Sequence, residues 1–427
     1  MKLLRSMNDN MPRLLAVVFC WFCMSAANAQ QVTITFLHVQ SENTYTSVIN
    51  AFEKANPGIR IREQRVPFDQ LNSQVQARVG AGDDSIDLYG VDEPRVPALV
   101  KRGLLLDLTA QEAEVVARAI PEAVAATSVD GKLYALPQWT STQVLFYNKE
   151  LLAKAGIQPP SSDPSNRMTW DVLLADAKKA QAAGSKFGFG FDQVDRYYQL
   201  QPLFESSGAG PGLTGPGLLT PNVDSPQWIK TLSWYGDLYK TGLSPRGVTP
   251  EQMPSLFLNG QLAYFLGGPW NFAAFSNASD RLKWGIAPHP YFAKGKPVTP
   301  TDSWAVGINP HSKHQAEAVK FAMFMTIDDD GALLSTEMNP LPPANRAAFY
   351  RYLQEQAKLG GASTSTYAIL LPYELKNTAV SRPRTIGYVS FEDVMNKAFS
   401  DVRNGADANQ TLARAQDQLR SLFSRLR

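Results

Sequence analysis

At 427 residues the chain is too long for one small domain and suits two domains or one large one. Its 44% hydrophobic and 19% charged content is ordinary for a folded globular protein. The 41 basic and 39 acidic residues nearly cancel, which argues against a nucleic-acid partner and against electrostatic membrane binding.

The N-terminus reads as an export signal, residues 1–29. Lys2, Arg5 and Arg13 form a basic start, "LLAVVFCWFCMSA" is a short apolar run, and Ala27-Asn28-Ala29 supplies the small residues of a cleavage site. The apolar run is shorter than the ~20 residues a membrane-spanning helix needs. Cleavage after Ala29 would remove both cysteines, Cys20 and Cys23, and leave 38 charges of each sign. The mature chain then needs no disulfide and offers no thiol nucleophile or cysteine metal site.

In the mature chain, "QVTITFLHVQ" alternates as a strand, and Tyr45, Val48, Ile49 and Phe52 share one helical face, with Asn43 as a possible cap. The strand "IRIREQRV", a helix capped by Asp69, the strand "IDLYGV" and a further helix follow. This alternation predicts a mostly parallel sheet flanked by helices. Ligands bind beyond the carboxyl ends of such strands. Gln40, Ser41 and Glu42 follow the first strand and Asp92 and Glu93 the third. Ser41 or Asp92 could simply cap the next helix, but capping does not need a doubled acidic pair.

"DGKLYALPQWTSTQVLFYNKEL" places two short strands around a proline, a tryptophan and hydroxyl groups. Thr169 and Ser225 read as helix caps, and Asp195, Arg196, Tyr197 and Tyr198 as an exposed turn. The strand "LAYFL" runs into Gly267-Gly268-Pro269-Trp270. "KWGIAPHP" and "TDSWAVGINP" are further strands, Asp328 to Gly331 reads as a helix terminus, and the remainder is helical.

The four histidines have no metal spacing, and no Gly-x-Ser-x-Gly elbow or phosphate-binding Gly-Lys-Ser/Thr loop occurs. Asp92 and Glu93 are adjacent, so on a strand they point oppositely, unlike a glycosidase pair. What recurs is an aromatic beside hydrogen-bonding groups at a turn: Trp139-Thr140, Tyr197-Tyr198, Trp270-Asn271 and Asp302-Ser303-Trp304. Sugars need this combination, a flat apolar face for the ring and planar acceptors for the hydroxyls. Any one of these tryptophans is as well read as core. Trp139, Trp270 and Trp304 together point to a shared cleft.

"VINAFEKANPGIRI", "DLYGVDEPRVPALVKRGLLLDLT", "GKLYALP…LFYNKELLAKAGI", "NGQLAYFLGGPW", "DSWAVGINP" and "PLPPANRAAF", in this order, resemble the family-1 extracellular solute-binding proteins of ABC importers, the group similar to maltose-binding protein. The resemblance spans nearly all of the mature chain. It implies an α/β, two-lobed periplasmic-binding-protein fold of type II-like form. Each lobe is a mostly parallel sheet flanked by helices, and the ligand cleft lies between them. The lobes are expected at residues 30–137 with 304–340 and at 138–303 with 341–427.

By matching position the resemblance implies ligand contacts at Gln40, Ser41, Glu42, Asp92, Glu93, Trp139, Thr140, Tyr198, Gly268, Trp270 and Trp304, with Arg346 and Arg384 as further candidates. Arg95 departs from the tryptophan that many relatives carry. The expected role is periplasmic capture of a mono- or oligosaccharide by hinge closure and delivery to inner-membrane permease subunits. The protein would be a monomer, without catalysis, cofactor or metal. The alternatives are a phosphorylated polyol such as glycerol-3-phosphate held by Arg196, Arg346 or Arg384, ferric ion on Tyr197-Tyr198, or a secreted glycoside hydrolase.

Overall fold

Nine strands build two sheets. They are β1 (Val32–His38), β2 (Ile59–Arg65), β3 (Leu88–Asp92), β4 (Ala135–Pro137), β5 (Val144–Asn148), β6 (Phe187–Phe191), β7 (Leu262–Gly267), β8 (Trp284–Ala287) and β9 (Trp304–Ile308). The computed structural model describes residues 31–339, 341–358 and 362–426, so the export signal expected at 1–29 lies outside the described residues.

The first sheet has the order β2-β1-β3-β9-β4 and the second β8-β5-β7-β6. β1 pairs in parallel with β2 and β3, and only β9 runs against its neighbours. In the second sheet β5 alone is antiparallel. All strands but one in each sheet thus run the same way, as the alternation of strand and helix predicts, and the one reversed strand makes each sheet mixed.

Helices cover both faces of the first sheet, which is why its central strands are apolar on both sides. Ile34, Phe36, Leu88, Val306 and Ile308 pack on one face against Val48 and Phe52 of α1 (Thr46–Ala55) and Phe321 of the helix Gln315–Thr326. Leu37, Tyr89, Val91 and Ala305 point the other way, onto Leu71 and Val75 of α2 (Phe68–Arg78). The period of two along each strand sorts them. The second sheet buries Phe189 and Phe191 against Trp170, with Tyr235 beside Phe191, and Phe146 and Phe265 against Phe257 and Phe275.

The chain passes between the sheets side by side at three places. Gln138 and Trp139 both donate their backbone N–H to the Trp304 carbonyl, at 3.0 and 3.1 Å. Thr140 N–H donates to the Pro342 carbonyl at 2.8 Å, and Ala344 N–H donates to the Gln138 carbonyl at 2.9 Å. The prolines of these segments sit where a crossing leaves its sheet and no ladder donor is lost.

Thr169 and Ser225 cap their helices as the sequence predicts, and Asn148 caps the helix Lys149–Lys154. Three expected caps differ. Asn43 adopts φ 66° in the turn before α1 and makes no cap bond. Asp69 lies inside the first turn of α2 and reaches Arg196 instead. Asp328 caps a new helix, Asp329–Leu334, accepting from Asp330 N–H and Gly331 N–H, rather than ending the preceding one. Among the described residues no helix is long and apolar enough to cross a membrane.

Candidate ligand-binding cleft

The carboxyl ends of β1, β3, β6 and β7 open onto one cavity of about 1050 Å³. β9 enters its sheet at the same edge, because Trp304 stands in register with Asp92. β5 does likewise, with Val144 opposite Gly267. Strand direction thus delivers Gln40, Asp92, Asp192, Trp270 and Trp304 to one place from distant parts of the chain.

Two indoles line the cavity, and both also pack against the core of the first lobe. Trp304, half-buried, meets Phe68 edge-on at 5.7 Å between ring centroids. Trp270, also half-buried, donates its Nε1–H to Asp192 Oδ2 at 2.6 Å and leans on Tyr198 at 6.3 Å. Asn271 Nδ2 donates to the same Asp192 oxygen at 2.8 Å. Burial pushes the Asp192 carboxyl up to about 6, while these two donors pull it back down.

At the floor lies a buried ion network. Arg382 donates to both oxygens of Asp92, at 2.5 and 2.8 Å, and its backbone N–H donates to Asp302 Oδ2 at 2.7 Å. Arg95 donates to Glu392 Oε2 at 2.7 Å. Asp302 holds a left-handed φ of 72°, a conformation Asp tolerates better than most residues. Burial raises its carboxyl above the ordinary range, against the pull of Arg382. Ser141 Oγ bonds the Asp302 carbonyl and the Tyr198 hydroxyl, each at 2.9 Å.

Of the residues expected here from sequence, Gln40, Ser41, Asp92, Tyr198, Trp270 and Trp304 line the cavity. The other seven, Arg384 among them, do not line it. Trp139 is fully buried, stacks on Tyr45 at 5.9 Å and donates its indole N–H to Ser335, so it is a core residue of the first lobe. Thr140 is buried in the crossing beside it. Glu93 points away from Asp92 and accepts from Ser303 N–H at 2.9 Å. Burial, with Asp302 nearby, pushes its carboxyl well above the ordinary range, and its hydrogen bond makes it a structural tie. Glu42 is exposed outside the wall. Gly268 leaves room for the Trp270 ring, which any Cβ there would strike. Arg346 is exposed and donates to the Ala117 carbonyl, away from the cavity.

The turn read as exposed is not. Tyr197 is fully buried and donates to the Pro211 carbonyl, while Tyr198 bonds Ser141, so the two phenols do not form a pair. Among the described residues no cluster of three or more His, Cys, Asp or Glu side chains is placed to hold a metal.

Sequence reasoning missed Phe68, Ser141, Asp192 and Arg382 as lining residues. Asp192 was findable, since it follows a strand as Asp92 ends one. Arg382 had no local signal, being an arginine in a loop two positions from Arg384.

The family model for the bacterial extracellular solute-binding proteins matches residues 38–331. A binding protein of Brucella abortus is 27% identical over 398 residues, covering 89% of this chain and 90% of that one. A galactooligosaccharide-binding protein of Bacillus subtilis is 27% identical over 321 residues, 72% of each chain. An ABC substrate-binding protein of Listeria monocytogenes, solved in complex with cycloalternan, superposes with a TM-score of 0.80 at 23% identity, covering 92% of this chain and 99% of that one. With its two mixed sheets, its three side-by-side crossings and a cavity at the facing strand ends, the chain belongs to the bacterial extracellular solute-binding protein family.

Proposed function

We propose that this protein captures a carbohydrate, a mono- or oligosaccharide, for an ABC importer, and hands it to membrane permease subunits without chemical change. One observation carries the reading. Two half-buried indoles, Trp270 and Trp304, face a single cavity whose remaining wall offers Asp192, Gln40, Ser141 and Asn339 as hydrogen-bonding partners. A pyranose ring presents flat C–H faces to aromatics and hydroxyls to such a rim. The galactooligosaccharide-binding relative supports the ligand class.

Binding without turnover fits the carboxylates. A glycoside hydrolase needs two that are free to face one bond. Asp92 and Asp302 are committed to Arg382 and Glu93 does not line the cavity, which leaves Asp192, tied by Trp270 and Asn271, and the exposed Asp393. The moving bodies are residues 30–137 with 304–340 and 138–303 with 341–427. The hydrogen-bonded crossings near Gln138, Ser303 and Pro343 would be the hinge, as in other periplasmic binders that close around ligands. The chain would act as a periplasmic monomer after removal of residues 1–29.

A thermal-shift screen of residues 30–427 against neutral sugars, polyols, sugar phosphates and ferric ion tests the reading. A cognate sugar at 100 times its dissociation constant should add ~2.7 kcal/mol of stability. A shift with ferric ion alone, or with no sugar at all, would defeat it.

A further inference from the structure

We propose that the cleft sorts its ligands by charge. It takes uncharged sugars, gains affinity for sugars carrying an ammonium group, and rejects phosphate esters and uronates. The inference deepens the carbohydrate reading and rests on it.

Eight carboxylate side chains line the cavity against three arginines, and no lysine or histidine does. The whole chain is nearly balanced in charge, so the surplus is local to the cleft. Each of the three arginines is already engaged. Arg382 is gripped by Asp92, with Asp302 at 3.7 Å. Arg95 is paired with Glu392 at 2.7 Å. Arg196 is held between Asp69 at 3.2 Å and Glu251 at 2.9 Å. Among the lining residues, an entering phosphate or carboxylate would have to break one of these pairs to find a cation. The arginines once expected to hold a phosphate are Arg196, occupied as above, and Arg346 and Arg384, which do not line the cavity.

The carboxylates are not all matched in return. Asp192 is buried in the wall beside Trp270 and has no cation within ion-pair distance among the described residues. Trp270 and Asn271 both donate to its Oδ2, and its Oδ1 has no hydrogen-bond partner among the described residues. Asp393, exposed at the mouth, likewise has no ion-pair partner there. A cleft lined by one sign of charge between low-dielectric walls focuses its field on what enters. An ammonium on a sugar stacked over Trp270 would meet the unpaired oxygen of Asp192 and the face of the indole together.

The test is calorimetric titration of the mature protein. A neutral panel of glucose, galactose, maltose, sucrose and raffinose first identifies the tightest ligand. Its amino-deoxy derivative and its uronate and phosphate derivatives are then titrated at 20 mM and 500 mM salt. The expected order at low salt is amino at least tenfold tighter than neutral, and neutral at least tenfold tighter than either anion. The spread should narrow at high salt, because surface charges are screened over a shorter distance. Asp192→Asn with Asp393→Asn should bring the amino and neutral forms close together. Asp393→Asn alone, at an exposed position, should move them part of the way. A uronate or phosphate that binds as tightly as the neutral sugar, or an amino form with no advantage, would overturn the charge filter and leave the carbohydrate reading standing. Failure of the entire neutral panel and its derivatives would overturn both.

Discussion

Arginines join the two lobes at both the floor and the mouth of the cleft, in very different surroundings. At the floor the Arg382 side chain is 4% exposed and its partner Asp92 7%. At the mouth Arg196 reaches from the second lobe to Asp69, 76% exposed, and lies over the Phe68 ring at 4.1 Å. Similar groups at similar distances do different work. Removing one partner from a buried pair strands a charge in a poor solvent, whereas an exposed pair returns both groups to water. The floor network can therefore hold the lobes in register. The mouth pair can break and reform as the cleft opens.

Substitutions should separate the two regions. Arg382→Ala removes the bidentate partner of Asp92, leaving it only Arg95 at 3.7 Å, and should cost about 3–5 kcal/mol in denaturant unfolding. Trp139→Ala, beside the floor, should cost a similar 3–5 kcal/mol through the cavity it leaves, with ligand affinity nearly unchanged when measured well below the melting temperature. If Trp139→Ala instead abolished binding in a folded protein, its placement in the core would be wrong.

Asp192 gives a pH signature. Its carboxyl is raised from 3.8 to about 6, so its contribution to stability is lost as pH rises through that window. Asp192→Asn keeps an acceptor for Trp270 and Asn271 but carries no charge. The variant should exceed the parent at pH 7.5 by up to ~3 kcal/mol and match it near pH 4, as thermal unfolding across pH would show.

Trp270→Ala should weaken sugar binding tenfold or more, about 1.4 kcal/mol, in titration calorimetry. The smallest effect belongs to the mouth. Arg196→Ala should change stability by less than about 1 kcal/mol, fading in high salt, while small-angle scattering shows a more open unliganded form. A loss as large as that of Arg382→Ala would erase the distinction between floor and mouth.

The three tryptophans show how far local sequence reaches. Trp139, Trp270 and Trp304 each stand beside proline, glycine or hydroxyl residues at a strand end, and on that ground they look alike. Trp270 and Trp304 do face the cavity. Trp139 turns into the first lobe because Tyr45 and Ser335, from two other segments, offer its ring a stacking partner and its N–H an acceptor. Asp92 and Glu93 divide in a similar way. The strand period of two sends them to opposite sides, which the sequence predicts. That Asp92 takes a guanidinium depends on Arg382, 290 residues away, while the Glu93 carboxyl is pushed up by burial among distant segments and by Asp302.

Periodicity and turn chemistry by themselves determined the β-α alternation, the strands from Val32 to Ile308 and the strand-end loops that carry the site, because these depend on neighbours within a few residues. The tertiary structure alone decided which polar residue is cap, tie or cleft wall, which arginine is neutralised, and that carboxylates outnumber cations in a cavity whose chain is nearly neutral. Those outcomes are set by burial and by partners brought from distant segments, and no local window of sequence contains them.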